Sequence, residues 1–167
     1  WNATSGMIYD LTLQANGQIL LGGQFVTVNG QAHQNLVRLH ADGTIDASFN
    51  ASLDNGTPAS MHSLVIQPDG KILVSGYFTT VNNGTPRTKL ARFNSDGTLD
   101  ASFNVVLDDN PESVRLQADG QILLAGYFST VNGQARTKIA RLNPDGSLDP
   151  SFNPSVTGSV DGGVALQ

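Results

Sequence analysis

The residues best suited to chemistry in this sequence come in one acidic phrase written three times: HADGTIDASFN (40–50), NSDGTLDASFN (94–104) and NPDGSLDPSFN (143–153). Read as ligands, Asn143, Asp145 and Asp149, with their counterparts Asn94, Asp96 and Asp100, place oxygens around a tight glycine turn. The arrangement is faintly like an EF-hand calcium loop. Two features weaken calcium: His40, a poor ligand for a hard cation, replaces Asn in the first copy, and no Glu follows at the EF-hand distance.

Turn chemistry gives the same residues a second role, and it is the favoured one. Pro144 cannot enter a two-residue type I′ hairpin, because its ring holds φ near about −65°. It fits instead as the second residue of a type I turn, with Gly146 left-handed as a bulge. The same scheme suits Pro68-Asp69-Gly70, and by analogy all six hairpins of the chain. A loop of residues 144–146 sets Asn143 opposite Ser147 and therefore Arg141 opposite Asp149. The same count pairs Arg92 with Asp100 and Arg38 with Asp46, as cross-strand ion pairs. Such pairs act more to hold register than to add stability, since desolvation offsets their attraction. No cofactor is expected, with calcium at Asn94, Asp96, Asp100, Asn143, Asp145 and Asp149 as the minor alternative.

Catalysis finds little support, and the expectation is that the chain is not an enzyme. His33, His40 and His62 share no position in the phrase and have no Ser or Asp pattern that suggests a triad. Asp108, Asp109 and Glu112 read as a solvated loop run. There is no cysteine, which excludes disulfides and thiolate metal sites. The net charge of −5 argues against nucleic acid, which requires a basic face. No apolar run is long enough to span a membrane. The sequons at Asn2, Asn50, Asn55 and Asn83 read as chance matches.

The elements that position these residues repeat as well. LTLQANGQILLGGQFVTVNG (11–30) aligns with LVIQPDGKILVSGYFTTVNNG (64–84) and VRLQADGQILLAGYFSTVNG (114–133). Each unit of about 50 residues reads as strand, turn, strand, loop, strand, turn, strand. In the second unit the strands fall at 64–67, 71–78, 89–94 and 98–103. Ile72-Leu73-Val74 is apolar on both faces, as in a covered sheet. An all-β chain of four-stranded antiparallel units is the pattern of β-propeller blades, with a β-solenoid and an open array of small sheets as alternatives. Units are placed at 3–50, 51–104 and 105–153, with a partial fourth at 154–167, all in one array. Trp1-Asn2 sits where a Phe-Asn pair closes a unit, so the pattern is cut at both ends. Closure then calls for further repeats of the same protein or a second copy.

Phe49, Phe103 and Phe152 recur once per unit and are placed in the core between blades. Gly23, Gly76 and Gly126 mark a bulge or a close backbone approach. The connections between units (50–61, 104–113 and 153–163) and the second-to-third-strand loops differ most, and are the candidate recognition surface.

On the motifs QPDGKILVSGYFTTVN (67–82) and LARFNSDGTLDASFN (90–104), the units resemble the delta-60 repeat, a bacterial β-propeller family of unknown function. The likeness covers essentially the whole chain. It implies a secreted or cell-surface, extracellular repeat scaffold and assigns no activity. The expected function is a non-enzymatic structural or adhesion scaffold within a larger secreted bacterial surface protein. The alternatives are a carbohydrate- or protein-binding module using the inter-blade loops and, third, a non-catalytic part of a secreted enzyme.

Overall fold

The computed structural model describes residues 6–55 and 59–158. The expected opening of a fourth unit (160–167), the Trp1-Asn2 remnant and the sequon at Asn2 lie outside the described residues, as does part of that at Asn55. The described residues contain strands and turns but no helix, so none is long and apolar enough to cross a membrane.

Each unit is built on a central strand of β-branched and aliphatic residues. In the first, β1 (Gly6–Leu13) pairs with β2 (Ile19–Phe25), which pairs with β3 (Leu36–Leu39). In the second, β4 (Ser60–Ile66), β5 (Ile72–Tyr77) and β6 (Leu90–Phe93) repeat this order. In the third it is β7 (Pro111–Leu116), β8 (Ile122–Gly126) and β9 (Ile139–Leu142). All pairings are antiparallel. Ile72, Leu73 and Val74 are fully buried, as expected for a sheet covered on both faces. These small antiparallel meanders are β-propeller-type blades.

All six hairpins turn on three residues. Asn143 N–H bonds the Ser147 carbonyl at 2.8 Å, and Gly146 N–H bonds the Asn143 carbonyl at 2.9 Å. The turn glycines share a left-handed φ, from 82° at Gly70 to 93° at Gly146, which a side chain would make costly.

The fourth strand of each unit is shorter than its sequence suggests. It touches the third strand through one bridge: Leu39 to Ile45, Phe93 to Leu99 and Leu142 to Leu148. The next residue, Asp46, Asp100 or Asp149, ends it, because its carboxylate captures the N–H two residues on and turns the backbone. The first strand runs longer, with β4 starting at Ser60 and crossing a bulge between Met61 and Ser63. The second-to-third-strand loops form small hairpins of their own, such as Thr80–Val81 with Thr85–Pro86. The preceding linker adds to this hairpin as Leu53–Asp54. The variable connections are therefore partly paired rather than free.

Two apolar clusters join neighbouring units. Leu20 and Leu36 of the first unit share a core with Phe49, Met61, Val74 and Phe93. Leu73 and Leu90 of the second share one with Phe103, Val114, Leu124 and Phe128. Phe49 and Phe103 are 2% and 0% exposed, and burying such rings contributes on the order of 2–3 kcal/mol each. At Gly76 and Gly126 the bulged strand approaches closely. An added Cβ would stand 2.1 Å from the Ser60 carbonyl and 2.2 Å from that of Asn110.

Candidate functional site

Register places the recurring Arg directly against the recurring Asp. Arg38 Nε donates to Asp46 at 2.8 Å, Arg92 Nε to Asp100 at 2.9 Å, and Arg141 Nε to Asp149 at 2.8 Å. The other carboxylate oxygen accepts the backbone N–H and hydroxyl of the Ser two residues on. For Asp100 these bonds to Ser102 are 3.0 and 2.6 Å. The guanidinium also lies over the following Phe ring, 4.7 Å from Phe49, 4.4 Å from Phe103 and 4.7 Å from Phe152.

A fourth member comes from the first hairpin of the unit. Gln18 Nε2 reaches Asp46 at 2.6 Å and Lys71 Nζ reaches Asp100 at 2.9 Å, while Gln121 stands 3.5 Å from Asp149. Hydrogen bonds from Ser48, joined by Arg38, hold the Asp46 carboxyl far below the usual range against desolvation. At Asp100 desolvation pushes the carboxyl up, but Ser102, Lys71 and Arg92 together overcome it. At Asp149 the bonds from Ser151, with Arg141, lower it to about 2.

The same Arg reaches beyond its own unit. Arg38 Nη1 donates to the Ser95 carbonyl at 2.5 Å, in the turn of the second unit, and Arg92 Nη1 to the Pro144 carbonyl at 2.5 Å, in the turn of the third. One side chain thus ties its hairpin, the Phe behind it and the neighbouring blade.

The residues of the minor calcium alternative are engaged in bonds of their own turns. Asp96 accepts from Thr98 N–H and hydroxyl at 2.9 and 2.7 Å, and Asp145 does the same with Ser147. Asn94 and Asn143 donate to the Thr98 and Ser147 hydroxyls at 2.9 and 2.8 Å. Asp100 and Asp149 face their Arg instead. Among the described residues no three Asp, Glu or His side chains form a group able to hold a metal ion.

A second cluster has no counterpart in the repeated phrase. Where the first strands of the three units converge, Tyr9, Asp10, His62, Ser63, Glu112, Ser113 and Arg115 line a cleft of about 290 Å³. The His62 imidazole stands between the Ser60 hydroxyl, 3.0 Å from Nε2, and the Glu112 carboxylate, 3.2 Å from Nδ1. Tyr9 meets His62 edge to face, with ring centroids 6.2 Å apart.

Glu112 is therefore not part of a solvated loop run: it lies on β7 and spans two units. Asp108 is not free either, since it accepts the N–H groups of Ser129 and Thr130 at 2.9 and 2.8 Å. Repeat comparison passes over this cleft because, Ser63 and Ser113 apart, its residues differ from unit to unit. The signal that was there is the variation itself: Tyr9-Asp10, His62-Ser63 and Glu112-Ser113 change while the flanking strands repeat.

A family model described as "Domain of unknown function (DUF5122) beta-propeller" matches residues 14–49, 67–103 and 117–152, one segment in each unit. The matched segments contain the Arg–Asp–Ser–Phe group and leave the cleft residues outside them. No curated protein matches the chain.

Proposed function

Because the chain belongs to the DUF5122 beta-propeller family, of the delta-60 repeat type, we propose that it is a non-enzymatic structural scaffold. Its place is an adhesion segment of a larger secreted bacterial surface protein. The observation that carries the scaffold reading is the bridging guanidinium, repeated at Arg38 and Arg92. The most strongly repeated polar residues of the chain join blade to blade and leave no common reactive group. The family likeness supports the bacterial surface.

The test is a panel of ester, glycoside and phosphoester substrates at high protein concentration. Scaffold behaviour gives no turnover and one cooperative unfolding transition across the three units. Hydrolysis that disappears in Ser60→Ala would refute it, since Ser60 is the hydroxyl beside His62.

The cleft supports a second reading, a binding module for carbohydrate. Tyr9, His62, Glu112 and Arg115 offer an aromatic face beside mixed donors and acceptors, the pairing that fixes a polar ligand in a concave site. A glycan array run with the chain and with Glu112→Gln checks it: a hit lost in the variant supports binding at the cleft, and no hit disposes of it.

A further inference from the structure

Near the end of their second strands, the second and third units carry an aromatic residue that the fold does not bury. Tyr77 lies between the buried Gly76 and Phe78, and Tyr127 between the buried Gly126 and Phe128, yet the two are 59% and 50% exposed. Strand alternation turns both side chains away from the core. A bulge in the first strand stands opposite each preceding glycine, the device by which sheets re-aim a side chain. The blade does not need an aromatic at this position, since Gln24 holds it in the first unit. Among the described residues neither ring pairs with another ring or a cation. The second unit is packed on both sides, against the first and the third, so the exposure of Tyr77 belongs to a blade with both neighbours in place.

These rings continue the cleft outward. Tyr77 is the cross-strand partner of Ser60, which puts the two side chains on one face with Cβ atoms about 5 Å apart. Ser60 Oγ is 3.0 Å from His62 Nε2. Tyr9, edge-on to His62, reaches Gln24 Oε1 through its hydroxyl at 3.4 Å. Tyr127 N–H donates to the Asn110 carbonyl at 2.9 Å, beside the strand that carries Glu112. An inner row of Tyr9, His62 and Glu112 is thus accompanied by an outer row of Gln24, Tyr77 and Tyr127, one of each per unit. Flat apolar faces with polar tips stand beside hydrogen-bonding groups.

We propose that the two rows bind an extended neutral polysaccharide that crosses successive blades. The cleft holds one sugar ring, and Tyr77 and Tyr127 each stack on another. The proposal rests on the carbohydrate reading of the cleft and adds the length and charge of the ligand. Length follows from the repeat, because platforms recurring at one position in neighbouring units suit a polymer of like rings. Charge follows from the groups available. Arg115 Nη1 is committed to the Val114 carbonyl at 2.8 Å and the Ser63 hydroxyl at 3.3 Å. The carboxylates of Asp10 and Glu112 then dominate the cleft, within a chain of net charge −5. Uronate and sulfate groups are repelled by such a field.

Calorimetric titration with cello-, malto-, xylo-, manno- and N-acetylated chito-oligosaccharides, each from monosaccharide to hexasaccharide, reads the dependence on length. Affinity that climbs with ring number in one series is expected, with no binding of alginate or heparin. Tyr77→Ala and Tyr127→Ala change exposed side chains and keep the circular dichroism and thermal unfolding of the parent. Each should weaken hexasaccharide binding about fivefold and leave the monosaccharide affinity unchanged. Tyr77→Phe and Tyr127→Phe, which keep the flat face, should bind as the parent does. Glu112→Gln weakens short and long ligands alike, because it acts in the cleft. Equal affinity for monosaccharide and hexasaccharide overturns the proposal and leaves the cleft reading standing. So does hexasaccharide binding that ignores both alanine variants. Tighter binding of alginate or heparin than of any neutral series overturns it as well. Alanine variants that abolish self-association in light scattering without changing glycan affinity assign the rings to a protein contact and overturn it. No binding in any series disposes of the cleft reading and of this proposal together.

Discussion

Truncating the three equivalent arginines to alanine separates what each guanidinium does inside its blade from what it does between blades. Arg92→Ala removes the bond to Asp100, the bond to the Pro144 carbonyl and the stacking on Phe103, all at a side chain 6% exposed. Removing one partner of a buried pair costs about 3–5 kcal/mol. Lys71 stays 2.9 Å from Asp100 and compensates part of the charge, so about 3 kcal/mol is expected. In Arg38→Ala the remaining neighbour of Asp46 is the neutral Gln18 amide, which raises the cost to about 4 kcal/mol. Arg141→Ala deletes a more exposed pair that has no carbonyl of a following blade to lose among the described residues, and about 1 kcal/mol is expected, as for surface pairs. Urea unfolding of the dilute chain measures the series. With m of about 2 kcal/mol/M, the gap between Arg92→Ala and Arg141→Ala is a midpoint difference of about 1 M. Equal losses at all three positions would show that the blade-to-blade bond contributes nothing measurable and would refute the reasoning.

Glycine substitutions probe the same junction sterically. Gly146→Ala forces a Cβ to 2.8 Å from the buried Phe103 ring at φ 93° and should cost about 2–4 kcal/mol. Gly133→Ala, at φ 75° with nothing within 4 Å, should cost only about 1 kcal/mol; thermal melts compare the two. Asn132→Ala frees the Val106 N–H that its side chain accepts at 2.9 Å and should cost about 1–2 kcal/mol, with faster exchange of the Val106 amide as the local readout. Acid stability follows from the lowered carboxyls. Folding depresses Asp149 from 3.8 to about 2, and Asp46 and Asp100 further, so their contribution is complete above about pH 4 and is lost as pH falls through the folded values. Melting temperature should therefore hold down to about pH 4 and drop below it. Asp149→Asn should flatten that drop while lowering the plateau.

Hairpin geometry is legible in the sequence wherever one residue excludes the alternatives. Pro144 rules out the two-residue turn, and Gly146 supplies the left-handed bulge. The count from that turn then puts Arg141 and Asp149 on one face. The forward bonds are not legible, because their acceptors are carbonyls 57 and 52 residues away in the chain and carry no side-chain signature. Lys89 and Lys138 escape for a different reason. Both hold φ near 70°, at 68° and 69°, in positions where Asn35 is the residue that sequence rules would choose. Tertiary contacts override propensity there: Lys89 Nζ reaches forward to the Asp108 carbonyl at 2.5 Å, and Lys138 to that of Gly158. The cleft is hidden because, Ser63 and Ser113 apart, it joins residues that no two units share. The two-residue linker strand Leu53–Asp54 could not be read from sequence, because its pairing with the next hairpin is what makes it a strand.

The one-way sense of the guanidinium bonds has a consequence for synthesis. A chain made from its N-terminus presents Arg38, Asp46 and Phe49 before the turn at Ser95 exists. The first blade therefore leaves the ribosome with its seal incomplete and is closed only when the next turn follows, 57 residues after the Arg. At about 5–20 residues per second that delay is several seconds, during which each newest blade is the least stable part of the nascent protein. A growing array of such units matures one repeat behind its own elongation.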